Sequence, residues 1–257
     1  MILRNRLTEA FQRHSSAVLS FSGGKDSAAL LHSCRDWADR IKVIHVSMGN
    51  PFPHVRKYVE DITRLYGYAL ELVESPTPEG TVPTDMLPVW STDFGAWLLR
   101  GQPNEPQVRL ISAIDCCRQT LWEPMQAAIN ASGATLVLRG SKGTDEHVGL
   151  GPSVEHEGVE YLSPLWEMTD TDVFHYLEQN VVPLPHQYQV GCVHSLDCID
   201  CTGWFTNQSE LDRVEYTRQY YPEQYRALQA RMQLALGEIE RRSEELAPAI
   251  RAIFPAT

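Results

Sequence analysis

The sequence contains no apolar run of the length that a membrane-crossing helix needs, about 18 residues or more. It is also poor in positive charge, with 22 Lys and Arg against 33 Asp and Glu and a formal net charge of -11. An acidic chain has no broad electrostatic hold on a polyphosphate backbone. A nucleic-acid substrate would therefore need a local basic groove or a partner, and overall charge does not supply the attraction. The opening stretch MILRNRLTEAFQRHSS lacks the apolar centre of a signal peptide, so a cytoplasmic protein is expected. Internal repeats and low-complexity tails are absent. Cysteine is sparse, at six residues, and none follows Cys201. In a cytosolic protein, disulfides are not the expected use of those thiols.

What is present is an alternation of short apolar runs and helical periodicity. Residues 1 to 13 carry helical spacing, and Ala17 to Phe21 reads as a buried strand. Helical spacing resumes from Asp26 to Arg35. Ile41 to Ser47 is a second strand, Val55 to Tyr66 a helix and Ala69 to Glu74 a third strand. Residues 75 to 108 are proline-rich and read as an irregular excursion. Cys116 to Ser132 reads as one helix, Thr135 to Arg139 as a strand and Gly140 to Gly158 as a loop. Thr169 N-caps a helix with Asp172 at the capping-box position, and residues 183 to 208 read as loop. The predicted fold class is α/β, a parallel twisted sheet with helices on both faces. It is followed by a helical C-terminal extension, with the domain at 1–208 and the extension at 209–257.

The strongest chemical signal is LSFSGGKDSAALL. Gly23 and Gly24 permit a tight turn that brings backbone N–H groups close to an anion, and the following helix offers the positive end of its dipole. Lys25 adds a cation, and Ser20, Ser22 and Ser27 add hydroxyls. Asp26 suits orientation of the loop or a contact with Mg²⁺. The pattern is not the Walker-type G-x-x-x-x-G-K-[ST]. Met48 and Gly49 follow the second strand, at the carboxyl edge where doubly wound sheets bind ligands. Arg139, Gly140 and Lys142 follow another strand, with Asp145 close behind. Asp26 and Asp145 are candidates for Mg²⁺ or ribose contact, or simple caps. His45, in an apolar strand, reads as a packed histidine.

The cysteines form a second constellation. Cys116-Cys117 and Cys198-x-x-Cys201 together fit four thiolates on one iron–sulfur cluster, with zinc as the rival. Cys192 is a fifth candidate ligand, and His186 and His194 flank the segment as alternative ligands. Trp204 and Phe205 would shield such a site from water.

The SGGxDS signature resembles the phosphate loop of the PP-loop ATP pyrophosphatase superfamily. Within it the chain is similar to the PAPS/APS reductase-like family, through Phe21 to Ser27, Val46 to Pro53, Cys116-Cys117 with Glu123-Pro124, Leu162 to Leu165, and Cys198-x-x-Cys201-Thr202. The resemblance implies ATP as ligand, with Mg²⁺, and a [4Fe–4S] cluster on the cysteines. It assigns catalytic work to Lys25, Asp26 and Ser27. It places adenosine by Met48 and Gly49, and a nucleotide phosphate by Arg139 and Lys142. The chain departs from the sulfonucleotide reductases in three places. No thiol follows Cys201, Thr120 and Leu121 stand where basic residues follow the cysteine pair, and one lysine replaces paired arginines after Arg139. What is left resembles the thiolating members, including ATP pyrophosphatases of DNA phosphorothioation systems. These adenylylate a substrate, release pyrophosphate and take sulfur from a cysteine desulfurase or another donor. The alternatives are a sulfonucleotide reductase using an external thiol, a different adenylylating ligase or nucleotidyl transferase with a structural zinc, and a non-catalytic nucleotide-binding subunit. The sequence does not identify the acceptor.

Overall fold

The computed structural model describes residues 2–48, 50–75, 86–89, 109–145, 151–196, 198–201, 203 and 208–253. Its main sheet has six strands in the order β3-β2-β1-β6-β8-β7. These are β1 (Ala17–Ser20), β2 (Ile41–Ser47), β3 (Ala69–Glu74), β6 (Leu136–Leu138), β7 (Ser153–His156) and β8 (Val159–Leu162). All neighbours pair in parallel except β7 and β8. The chain moves outward from β1 to β2 and β3, then returns to build β6 and β8 on the other side. The strand order therefore reverses between β1 and β6, and a crevice opens there beyond the carboxyl ends of the strands.

Side chains alternate across each strand, and the alternation divides the core between the two faces. Ala17, Leu19, Val43, Leu136 and Leu138 point to one face. There they meet α1 (Ile2–Arg13), α2 (Lys25–Ser33), α3 (Pro53–Leu65) and, further along the chain, α6 (Asp170–Gln179). Val18, Ile44 and Val137 point to the other face and meet Ala128 and Ile129 of α5 (Glu123–Ser132). Helices thus cover both faces, as the sequence pattern predicts.

Four expectations need correction. The helix expected from Cys116 starts earlier, as α4 (Ala113–Cys117), because Ser112 caps it by accepting from the Asp115 amide at 3.0 Å. It then passes through a π-turn at Arg118–Trp122 before α5. Within the proline-rich excursion, β4 (Met86–Val89) pairs in parallel with β5 (Arg109–Ser112); the remainder of that stretch lies outside the described residues. The stretch expected as a loop at Gly140 to Gly158 contains β7. It is joined to β8 through Glu157 (φ 49°) and Gly158 (φ 79°), two positive φ angles in the manner of a type I′ hairpin turn. The expected loop at 183 to 208 holds a one-turn helix, α7 (His186–Gln189).

The chain ends in α8 (Gln208–Tyr220) and α9 (Pro222–Ile253). Tyr216 of α8 packs on Phe52 and His54 at the start of α3, and its hydroxyl lies 2.9 Å from His186 Nδ1. No helix among the described residues is long and apolar enough to cross a membrane.

Leu138 is wholly buried at the centre of the sheet. Leu138→Ala removes apolar contacts and leaves a cavity, so an expected loss of about 2–5 kcal/mol follows. Urea unfolding followed by circular dichroism measures it. A midpoint unchanged from native would contradict this placement of β6.

Candidate functional site

The loop after β1 forms one wall of the crevice. Phe21 prolongs the strand by donating its amide to the Ile44 carbonyl at 2.9 Å. The chain then turns at Gly23, whose φ of +84° is a left-handed conformation that glycine adopts without strain. A Cβ there would also meet Val55 and Val59 at 3.1 Å. Ser27 donates its hydroxyl to the Gly24 carbonyl at 2.9 Å, which leaves its oxygen to accept from Ser22 at 3.0 Å. Ser22 in turn accepts from the Gly24 amide at 3.3 Å. The two serines thereby brace the turn from inside.

The second wall follows β6. A Cβ on Gly140 would come within 3.0 Å of the Ser27 nitrogen and 3.1 Å of the Asp26 carbonyl carbon. Only a residue without a side chain lets this backbone lie against the first turn of α2. That contact brings Lys142 to the phosphate loop. Its ammonium group lies 3.0 Å from Asp26, 2.8 Å from Asp145 and 3.2 Å from Asp170. Lys25 reaches the same carboxylates, at 2.9 Å from Asp26 and 3.0 Å from Asp170, above the ring of Phe174. Burial acts to lower the pKa of Lys142, but hydrogen bonds to Asp145 and Asp26 outweigh it and raise the pKa above the ordinary lysine value. Two ammonium groups thus face three carboxylates, a local excess of one negative charge.

Asp170 is a site residue that sequence reasoning missed. It is the first residue of α6, where Thr169 and Asp172 complete the expected capping box. An acidic residue at that position has an ordinary explanation in the helix dipole, which hides its second role across the crevice.

Between these walls lies a cleft of about 390 Å³, mostly apolar. Of the predicted ligand residues, Ser20, Ser22, Met48 and Arg139 line it; Gly23, Gly24, Lys25, Asp26, Ser27, Gly140 and Lys142 do not. Gly49 lies outside the described residues. Arg139 extends β6 by donating its amide to Leu162 at 2.9 Å, and its guanidinium sits 5.3 Å over the ring of Tyr161. Its Nε is buried without a hydrogen-bond partner. Burial lowers the Arg139 pKa. The cleft's other guanidinium, Arg56, is paired with Glu60 and Glu74. Arg139 is therefore the one cation lining the cleft, among the described residues, without a carboxylate. His45 also lines the cleft, but its Nδ1–H donates to the Phe21 carbonyl at 2.8 Å and burial lowers its pKa, so it is a packed neutral histidine.

Cys116 faces Cys201, and its pKa is pushed up to about 11, first by burial and then by that neighbour. The Gly203 amide donates to the Cys201 sulfur at 3.4 Å. Cys192 is buried elsewhere, among Phe52, Val55, Leu196 and Tyr216. Among the described residues, no group of three or more His, Cys, Asp or Glu side chains stands close enough to hold a metal ion. His186 and His194 are engaged by Tyr216 and Asp212, the latter at 3.2 Å. No cluster site is thus shown among the described residues, and no chemistry is routed through one. Trp204 and Phe205 lie outside the described residues.

A mixed, mostly parallel sheet with a switch-point crevice, and a glycine turn feeding a helix beside it, defines an α/β fold of the adenine-nucleotide alpha-hydrolase type, the PP-loop class. Residues 16–204 match the phosphoadenosine phosphosulfate reductase domain, and the chain belongs to that family. The chain is similar in structure to phosphoadenylyl-sulfate reductase from Candida auris, solved as a phosphate complex. The TM-score is 0.53 and the identity 16%, over 74% of this chain and 85% of that one. It is also similar to the FMN adenylyltransferase of Candida glabrata, with a TM-score of 0.51 and 16% identity. That match covers 74% of this chain and 57% of the other. At these identities the likeness speaks for the fold alone. No curated protein sequence matches this chain.

Asp170 tests the ion cluster. Burial raises its carboxyl pKa, but Lys25 and then Lys142 outweigh that and hold it below the usual aspartate value. The stability it contributes is present above the ordinary carboxylate pKa and is lost as pH falls through the lowered one. Asp170 is well exposed, so Asp170→Asn is expected to cost under about 1 kcal/mol at neutral pH. The difference from native should shrink in acid. Urea midpoints compared at neutral and acidic pH check this, and a gap that does not change with pH would count against the pairing.

Proposed function

We propose that this chain binds ATP in the switch-point cleft and cleaves it between the α and β phosphates, adenylylating an acceptor that then takes up sulfur. One observation carries the reading. Arg139 presents a partly buried guanidinium, without a carboxylate partner among the described residues, inside an apolar cleft beside Ser20 and Ser22. A cation held there is unsatisfied until an anion joins it. The apolar walls suit a nucleoside, and Arg139 suits its phosphate.

The residues divide the work as follows. Arg139 holds the nucleotide at the α-phosphate. The acceptor oxygen attacks the α-phosphorus, the bond to the bridging oxygen breaks, and pyrophosphate departs toward the turn at Ser22 to Ser27. There the N-terminal end of α2 favours negative charge. Lys25 and Lys142 are already neutralised by Asp26, Asp145 and Asp170, so polyphosphate calls for a divalent cation. Asp26 is the carboxylate best placed to help hold Mg²⁺, which would offset charge on the leaving group. A sulfur nucleophile delivered by a cysteine desulfurase or another donor then displaces AMP from the adenylate. Nucleic acid is the acceptor class we propose, brought by a partner because the chain is acidic.

A second reading, reduction of a sulfonucleotide by an external thiol, is less well supported. No cysteine follows Cys201 in the sequence, so its reducing thiol would have to come from outside. The cysteines belong to the proposal only as candidate cluster ligands. Iron, sulfide and zinc analysis of anaerobically purified protein decides that part, with iron and sulfide expected.

Pyrophosphate release from Mg-ATP, read as phosphate after added pyrophosphatase, tests the main reading. No release, with or without candidate acceptors and sulfur donors, would remove it; sulfite formation from APS or PAPS with thioredoxin would install the second. Arg139→Ala should weaken ATP binding about 10- to 100-fold, the loss of a charge-assisted hydrogen bond. Unchanged affinity would take Arg139 out of the site.

A further inference from the structure

The phosphate loop is not open. The backbone amide of Lys25, the first residue of α2, donates to the Tyr188 hydroxyl at 3.0 Å. Ser195 stands beside it, so close that a Cβ on Gly24 would lie 2.3 Å from the Ser195 hydroxyl oxygen. An α-helix leaves its first amides without intrahelical partners, and a capping side chain, water or a bound anion satisfies them. Here a side chain of the same protein does so. Tyr188 is a neutral acceptor, its pKa pushed up to about 12, first by burial.

The segment carrying these hydroxyls is held firmly. The Gln187 carbonyl accepts from the Cys192 amide at 3.0 Å, and Gln187 Oε1 lies 2.8 Å from His54 Nε2. Further on, the Ile199 amide donates to Asn50 at 3.0 Å, beside a β-bridge between Pro51 and Cys198. The ring of Tyr188 rests edge-on against Phe174 of α6. Tyr188 is thus delivered to the Lys25 amide by a built arrangement.

We propose that Tyr188 and Ser195 cap the phosphate loop, and that the terminal phosphates of a nucleoside triphosphate, or inorganic pyrophosphate, displace the two hydroxyls to reach the Lys25 amide. The inference rests on the nucleotide reading above. An anionic oxygen is a stronger acceptor than a neutral phenol, so the exchange of partners favours the phosphate. The native protein nonetheless gives up the Tyr188 bond when phosphate enters, and that loss is subtracted from affinity. Removing the hydroxyl leaves the amide unsatisfied only in the free protein, which shifts the balance toward the phosphate-bound state.

The experiment is calorimetric titration of native protein, Tyr188→Phe and Ser195→Gly with Mg-ATP and with pyrophosphate. Tyr188→Phe should bind pyrophosphate about tenfold more tightly than native, as expected for removal of the hydrogen bond that competes for the Lys25 amide, and Ser195→Gly about threefold, as expected for removal of the hydroxyl that crowds Gly24. Where Tyr188→Phe folds, its affinity decides; where it does not, the exposed Ser195 variant decides. Equal or weaker affinity in the deciding variant, with native protein still binding, overturns the cap and leaves the nucleotide reading standing. Failure of every protein to bind either ligand overturns the nucleotide reading, and the cap with it.

Discussion

Two ammonium groups sharing two carboxylates hold the crevice in shape. Lys25 and Lys142 each contact Asp26 and Asp170. Those four residues come from the first turn of α2, the loop after β6 and the start of α6. Shared partners impose geometry more strongly than isolated pairs do, because moving any one segment breaks contacts to both others. A partly buried ion cluster is a weak source of net stability, since desolvation offsets the attraction. Its effect here is positional. It fixes the register between the two loops that flank the switch point, and the bare backbone of Gly140 against α2 lets the cluster close.

The same cluster separates two kinds of positive charge. Lys25 and Lys142 look like phosphate ligands in the sequence, yet their charges are spent on carboxylates. Arg139 looks like one basic residue among several, yet its guanidinium lies in the cleft over an aromatic ring without a carboxylate. On the proposed function, an anion in the cleft would meet Arg139 there and the amides at the start of α2 beyond it. The lysines organise the wall those amides belong to. That division follows from which carboxylates each cation reaches, information that the motif SGGKDS does not contain.

Much of the fold was legible. The strands at Ala17, Ile41, Ala69 and Leu136 are short apolar runs next to turn residues, and α6 announces itself through Thr169 and Asp172. These features depend on local spacing. The β7–β8 hairpin was hidden because Glu157 takes a positive φ, where Asn or Asp is the usual signal. The π-turn at Arg118–Trp122 breaks one helical pattern into three pieces, with Pro124 at the start of α5 as its local signal. At the site, the turn at Gly23 and Gly24, the strand-end position of Arg139 and the approach of Gly140 follow from motif logic. Asp170, Tyr161 and Tyr188 do not. Their roles come from segments far away in the chain, and each has a commonplace local explanation as a helix start, a strand aromatic or a loop tyrosine.

The segment from Pro185 to Cys201 joins the two constellations that the sequence presents separately. One end places Tyr188 on the Lys25 amide; the other carries Cys198 and Cys201, with Cys116 facing the latter. Between them Cys192 is packed against Phe52 and Tyr216, which ties the segment to the start of α3 and to α8. A short segment anchored along its length moves as a unit more readily than it stretches. An anion that took the place of Tyr188, as proposed, would act on the same piece of chain that carries Cys198 and Cys201. Were the two ends coupled in this way, a change in how those thiols are held would act back on the phosphate loop to the same extent in free energy. Such coupling would need no long pathway, because the phosphate end and the sulfur end are fewer than a score of residues apart in the chain.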